Sequence, residues 1–183
     1  YIPCRGSLAA EFFRTFNRLQ KPEGTIIRDQ ISFSITVARN TCVAHFLKSE
    51  RQFCMFVDSD LVFPREDVIL RLLKHDKDIV SGLYFNRKPP YQPVILFEQV
   101  VDRQVSLGFE YMDESYPKDT LMEVDGCGAG LLLIKRKVLE SIEPPWFDVH
   151  ESWTAMPIVR SVWGEDIESV SYTHLRAHET VLD

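Results

Sequence analysis

Apolar positions recur at helical spacing in two stretches early in the chain. Leu8, Phe12, Phe16 and Leu19 share one face behind Ser7, a suitable N-cap, which predicts a helix from Ser7 to about Leu19. Ile35, Ala38, Cys42, Val43, Phe46 and Leu47 repeat the pattern and predict a second helix over 34–48. Between them, Lys21-Pro22-Glu23-Gly24 reads as a turn and 25–27 as a short strand. The pattern then changes. Residues 53–57 are an unbroken apolar run of strand length, as in a strand buried on both faces. Pro64 marks the start of a third helix reaching about His75, with Glu66 and Asp67 suited to the positive end of its dipole. Residues 79–84 read as a second buried strand. Strand, helix, strand in this order predicts a βαβ unit with parallel strands.

Beyond the loop Arg87-Lys88-Pro89-Pro90, residues 94–97 and 105–111 predict antiparallel strands. An acidic loop over 113–119 follows, then strands over 120–124 and 131–134 flanking a glycine-rich turn. A short helix over 136–141 ends at Pro144-Pro145. The 183 residues suffice for one domain with a real core. A net charge of -6, with basic residues scattered apart from Lys135-Arg136-Lys137, argues against a nucleic-acid partner. No apolar run is long enough to span a bilayer. Cys4, Cys42, Cys54 and Cys127 show no metal-like spacing and read as reduced, buried thiols of a cytoplasmic protein. Tyr1-Ile2-Pro3 reads as the end of a strand that begins upstream, so a fragment is expected.

The chemistry concentrates where the apolar run 53–57 ends in Asp58-Ser59-Asp60. Unpaired carboxylates are costly to bury, and a divalent cation held by hard oxygens relieves that cost. The carboxyl ends of parallel strands are also where α/β folds bind ligands. A turn that only caps the next helix is the competing reading. Gly126, Gly128 and Gly130 permit a tight backbone and close approach of a ligand, whereas a plain hairpin with bulges is the alternative. Their spacing is not a dinucleotide fingerprint.

Six motifs in order carry a resemblance. They are Ala38-Arg39-Asn40, Phe56-Val57-Asp58-Ser59-Asp60, Val80-Ser81-Gly82-Leu83-Tyr84, Asp125-Gly126-Cys127-Gly128-Ala129-Gly130, Pro145-Trp146-Phe147 and Gly164-Glu165-Asp166. Together they resemble bacterial and phage glycosyltransferases of the GT-A fold, similar to family 2. The resemblance implies an α/β fold with a mixed, mostly parallel sheet flanked by helices, incomplete at both ends, over residues 1–168. It implies a metal-dependent, inverting enzyme that moves a sugar from a nucleotide-diphospho-sugar donor to a glycan, lipid-linked or protein acceptor. By the same resemblance Asp60 is the direct ligand of Mn²⁺ or Mg²⁺, and Asp58 reaches the metal or the ribose. Arg39 and Asn40 lie near the donor, as do Gly126 and Gly128. Asp166 is the catalytic base, with Glu165 beside it. Arg87 and Lys88 are candidates for phosphate contact.

Trp146, Phe147, Trp153 and Trp163 could stack on an acceptor sugar, although core packing explains each one singly. His45 and His75 read as helix-surface residues, and nothing places His150 as a ligand. Residues 169–183 look like translated adapter or vector sequence, so the His174/His178 pair is discounted and a non-native tail is expected. Two other functions remain open. Asp58-Ser59-Asp60-Leu61-Val62 also fits the nucleophile motif of haloacid-dehalogenase-like phosphatases, with Asp58 attacking phosphorus. A non-catalytic, truncated sugar-nucleotide-binding domain is the other.

Overall fold

The computed structural model of the chain describes residues 1–85, 89, 91–101, 104–109, 120–147 and 180–181. In chain order the elements are β1 (Ile2–Cys4), α1 (Ala10–Arg18), β2 (Asp29–Ile31), α2 (Ile35–Leu47), β3 (Phe53–Val57), α3 (Val68–Lys74) and β4 (Ile79–Gly82). β5 (Ile95–Val101), β6 (Gln104–Phe109), β7 (Leu121–Met122), β8 (Gly126–Cys127), β9 (Leu131–Lys135), α4 (Arg136–Glu140) and β10 (Thr180–Val181) follow.

The fold is mixed α/β with small sheets. Five strands run in the order β3-β9-β4-β10-β7, β1 pairs with β2, and β5 lies between β6 and β8. Because β9 is antiparallel to both β3 and β4, those two strands point the same way, as a βαβ unit requires. They are not neighbours, since β9 is inserted between them. The expectation of a mostly parallel sheet is therefore corrected: parallel ladders join β1 to β2 and β10 to β4, and the other described ladders are antiparallel. The physical reason lies in the long excursion after β4, which returns to the sheet through β9 in the opposite sense.

β3 is covered on both faces, which is why its sequence does not alternate. Cys54 and Phe56, with Leu132 and Ile134 of β9, pack into one cluster with Cys42, Val43 and Phe46 of α2, Leu139 of α4 and Phe147. Val57, with Leu131 and Leu133, packs into a second cluster with Phe12 and Phe16 of α1 and Val68, Ile69 and Leu72 of α3. Odd and even positions of the two strands thus separate onto opposite faces, as the pleat dictates. Phe147 meets Phe56 edge-on, with centroids 5.2 Å apart.

Boundaries moved where tertiary contacts outweighed local signals. Ser34 does cap α2, accepting from Val37 N–H at 3.4 Å. Ser7 does not cap α1; Ala9 holds that position, and its N–H donates to Ser59 O at 3.2 Å. Residues 25–27 are not a strand: pairing to β1 begins at Asp29, while Ile26 and Ile27 are exposed. α3 starts at Val68 rather than at Pro64, after Asp67, whose carboxylate is held by Arg65. β8 is a strand where only a turn was expected, because Gly126 and Cys127 pair with Leu96 and Ile95. Thr180–Val181, within the expected non-native tail, pairs with β4 and β7, and the rest of 169–183 lies outside the described residues.

The basic run 135–137 is used internally. Arg136 closes the end of α2: its guanidinium donates to Phe46 O, Leu47 O, Ser49 O and Arg51 O, and lies over the Phe46 ring at 4.9 Å. A cation there satisfies terminal carbonyls and complements the helix dipole. Lys135 bridges Asp76 and Asp78, and Lys137 pairs with Asp78. Among the described residues no helix is long and apolar enough to cross a membrane.

All four cysteines are free and buried. Burial pushes the Cys42 thiol up to about 11, and those of Cys54 and Cys127 up to about 12. At about pH 8, iodoacetamide should leave these three thiols intact in the native protein and alkylate them after unfolding in urea, as read by mass spectrometry. Labelling of native Cys54 at a free-thiol rate would contradict this placement. The folded values lie above the ordinary 9.0, so the cost of ionising these thiols opposes folding only at high pH: the native state is unpenalised below pH 9 and loses stability as pH rises towards 11 to 12. Arg136→Ala should destabilise the fold by about 2–3 kcal/mol in urea denaturation, because several charge-assisted bonds to helix-end carbonyls disappear together.

Candidate functional site

The carboxyl ends of β3 and β4 and the start of β9 meet at one end of the main sheet. Asp58 leaves β3 there, and its N–H donates to Gly130 O at 2.7 Å. Its carboxylate Oδ1 accepts from Arg39 Nη2 at 3.1 Å. Arg39 is fully buried at 0% exposure, while the Asp58 side chain keeps 18%. Helical spacing puts Arg39 on the buried face of α2 beside Ala38, Cys42 and Val43, and its guanidinium carbon lies 5.8 Å from the centre of the Phe147 ring. A surface arginine in an intrahelical ion pair is thereby excluded. Arg39 reaches the site through Asp58, which makes it a positioning residue in this arrangement.

Tyr84 binds the second side of the site. Its hydroxyl oxygen accepts from Gly130 N–H at 3.0 Å. A Cβ added to Gly128 would overlap the Tyr84 hydroxyl and come within 2.6 Å of Val94, and one on Gly130 would sit 2.7 Å from the Tyr84 ring and 2.9 Å from Asp58 Oδ2. Neither glycine has a positive φ. The glycines are needed for close approach, and the groups that approach are Tyr84 and Asp58 of the protein itself. Burial, reinforced by the neighbouring Asp58 charge, raises the Tyr84 pKa, so the phenol stays protonated. Gly126 lies in β8, paired with Leu96, two residues before Gly128 on the same segment.

Asn40 points elsewhere. Its Nδ2 donates to Thr36 O at 3.0 Å and Phe147 O at 2.7 Å, and its Oδ1 accepts from Trp146 N–H at 2.9 Å and Phe147 N–H at 3.1 Å. Both donors and both acceptor positions of the amide are engaged. Asn40 therefore clamps the Pro145-Trp146-Phe147 segment, whose 144–145 peptide bond is cis. Trp146 donates its indole N–H to Leu139 O at 2.9 Å, and Phe147 is 0% exposed. The two aromatics are core groups, in line with the packing explanation. His45 is exposed and His75 half-buried.

Asp60 is half-buried two residues beyond Asp58. Among the described residues no group of three or more His, Cys, Asp or Glu side chains gathers as a metal site. A divalent ion carried by a diphosphate asks for less: one or two carboxylates, with phosphate oxygens and water completing the shell. Asp58 and Asp60 are the carboxylates of this turn that could take part. One oxygen of Asp58 already accepts from Arg39. The remaining candidates, Arg87, Lys88, His150, Trp153, Trp163, Glu165, Asp166, His174 and His178, lie outside the described residues. Tyr84 and Ser81 stand within the Val80–Tyr84 motif, but sequence reasoning gave neither a role of its own. Ser81 is buried, and its hydroxyl donates to Leu131 O at 3.0 Å across the ladder to β9. A polar residue inside an apolar strand was the available signal.

No family model matches the chain, and no curated protein matches it. Among solved structures, A197 from STIV is similar: it is 22% identical, with a TM-score of 0.57 over 99% of this chain and 79% of that one. At that identity the likeness concerns the fold alone.

Two substitutions test the geometry. Asn40→Ala should cost about 2–4 kcal/mol in urea denaturation, because the Trp146 and Phe147 N–H groups lose their acceptor. Gly128→Ala should destabilise the fold, and Tyr84→Phe should return part of that loss, since the phenol oxygen is one of the atoms the new methyl would meet. Strict additivity of the two changes would show that they do not share the contact.

Proposed function

We propose that the chain is the donor-binding part of a metal-dependent GT-A glycosyltransferase, acting on the cytoplasmic side on a nucleotide-diphospho-sugar. The observation that carries this reading is the buried Arg39–Asp58 ion pair at the carboxyl end of β3, with Asp60 two residues on and Gly130 packed against Asp58. A core arginine fixes one carboxylate of the Asp-Ser-Asp turn in place, and a capping turn needs no such counterion. When bound, a divalent cation supplies charge neutralisation for a departing diphosphate. Asp60 would hold it, with Asp58 oriented by Arg39 to reach a water or the ribose. Tyr84 and the glycine-lined start of β9 keep that wall rigid. Sugar transfer to an acceptor hydroxyl also needs a base, and the motif resemblance gives that role to Asp166 beside Glu165.

The phosphatase alternative has less support, since Asp58 would have to attack phosphorus with a carboxylate already held by a buried guanidinium. Hydrolysis of p-nitrophenyl phosphate that depends on Asp58 would nevertheless restore it. Binding of UDP- or GDP-sugars without any transfer would favour the non-catalytic domain.

Asp60→Ala should abolish the Mn²⁺-dependent thermal shift given by a nucleoside diphosphate while leaving the protein folded. Binding that is as strong in excess EDTA would overturn the metal role. Asp166→Asn should lower turnover by roughly 10²–10⁴, the range for loss of a general base, and leave donor binding intact. Lost donor affinity with turnover preserved at saturating donor would remove Asp166 from the base role.

A further inference from the structure

β2 has one bonded edge and one open edge. In its parallel ladder with β1, Ile2 N–H donates to Arg28 O at 2.8 Å and Ser32 N–H donates to Cys4 O at 3.1 Å. Even-numbered residues of this stretch therefore turn their backbone groups towards β1. The N–H and C=O groups of Asp29 and Ile31 point the other way. Among the described residues no backbone group meets them. Ile31 O accepts from the Gln30 side-chain amide at 3.3 Å, longer than an ordinary N–H···O bond. The open edge lies across β2 from β1, so a longer β1 would not cover it.

The side chains alternate in the same way. Gln30 and Ser32 are half-buried, whereas Asp29, Ile31 and Phe33 are exposed. Ile31 is 62% exposed, Phe33 just beyond the strand 97%, and Val37 in the first turn of α2 57%. An open edge among large exposed apolar side chains is a pairing surface. A two-fold axis through Gln30 makes this edge complementary to itself. Antiparallel pairing with β2 of a second copy sets Asp29 opposite Ile31 on both sides of the axis, with Gln30 facing Gln30. Asp29 and Ile31 are the residues whose backbone groups point outwards, so each pair exchanges both of its hydrogen bonds and no outward group is left over. No like charges oppose one another, since Asp29 meets Ile31 and Arg28 meets Ser32.

We propose that the open edge of β2 is a homodimer interface, in which two copies pair β2 antiparallel about Gln30 and join their small sheets into one. The two Ile31 side chains lie on one face as diagonal neighbours across the axis, within reach of each other. Phe33 and Val37 add apolar surface beside them. The pairing uses neither Asp58 nor Asp60 and does not depend on the glycosyltransferase reading.

The test is sedimentation equilibrium of the intact chain over a concentration series, with amide hydrogen exchange on the same samples. The chain should dimerise, and the Ile31 amide should gain protection as the dimer forms. Ile31→Pro should abolish the dimer and leave the monomer folded, because the N–H it removes points away from β1. Ile31→Glu sets a carboxylate opposite Asp29 on both sides of the axis and should weaken dimerisation by about tenfold or more. Adding Asp29→Lys to Ile31→Glu makes both pairs attractive and should restore the dimer, a rescue that requires the proposed register. A chain that is monomeric at every concentration would overturn the interface. Protection of the Ile31 amide in such a monomer would make another segment of the same chain the occupant, and would overturn the second copy. A dimer that withstands Ile31→Pro, or one that the charge exchange fails to restore, would overturn pairing through β2.

Discussion

A guanidinium with 0% exposure cannot remain in a protein core without a partner, because the penalty for an uncompensated buried charge exceeds most single contributions to stability. Arg39 meets that demand with Asp58 and with the face of Phe147. The pair ties the middle of α2 to the carboxyl end of β3, and so fixes the helix against the sheet at the place where the polar residues gather. Much of the surrounding architecture accommodates it. Phe147 is held over Arg39 by the Asn40 amide one residue along the same helix. Gly130 has no side chain because Asp58 Oδ2 and the Tyr84 ring occupy that space.

The result is a wall built from three strand ends and locked by polar groups whose partners lie inside the protein. A functional carboxylate profits from such support, because its position does not have to be established when a ligand arrives. Arg39 holds Asp58 from inside the core, and Asp60 lies half-buried two residues further along the turn. The same division explains why Asn40, adjacent in sequence to Arg39, plays a different part. A rotation of about 100° per residue on a helix points neighbours in different directions.

At its carboxyl end β3 is bonded along both edges, to Tyr1 on one side and to Gly130 on the other. The basic residues that form a cluster in the sequence, Lys135 to Lys137, are neutralised by Asp76, Asp78 and helix-end carbonyls.

Local pattern was enough for the elements whose signals are strong over many residues. The helix capped by Ser34, the buried strand ending at Asp58, the parallel sense of β3 and β4 and the short helix after Lys135 were all legible from periodicity and capping chemistry. Asp58 and Arg39 were also legible as unusual, since each placed a charge against an apolar surface. That these two charges answer each other across nineteen positions of sequence emerged only from the packed fold. The entry of β9 between β3 and β4 did too, because no local pattern encodes a strand order that depends on the return from a long excursion. The glycines at 128 and 130 signalled close approach from the start. What approaches them, the Tyr84 ring, was set by packing between residues 46 positions apart in the case of Gly130, and packing at that range has no period to read.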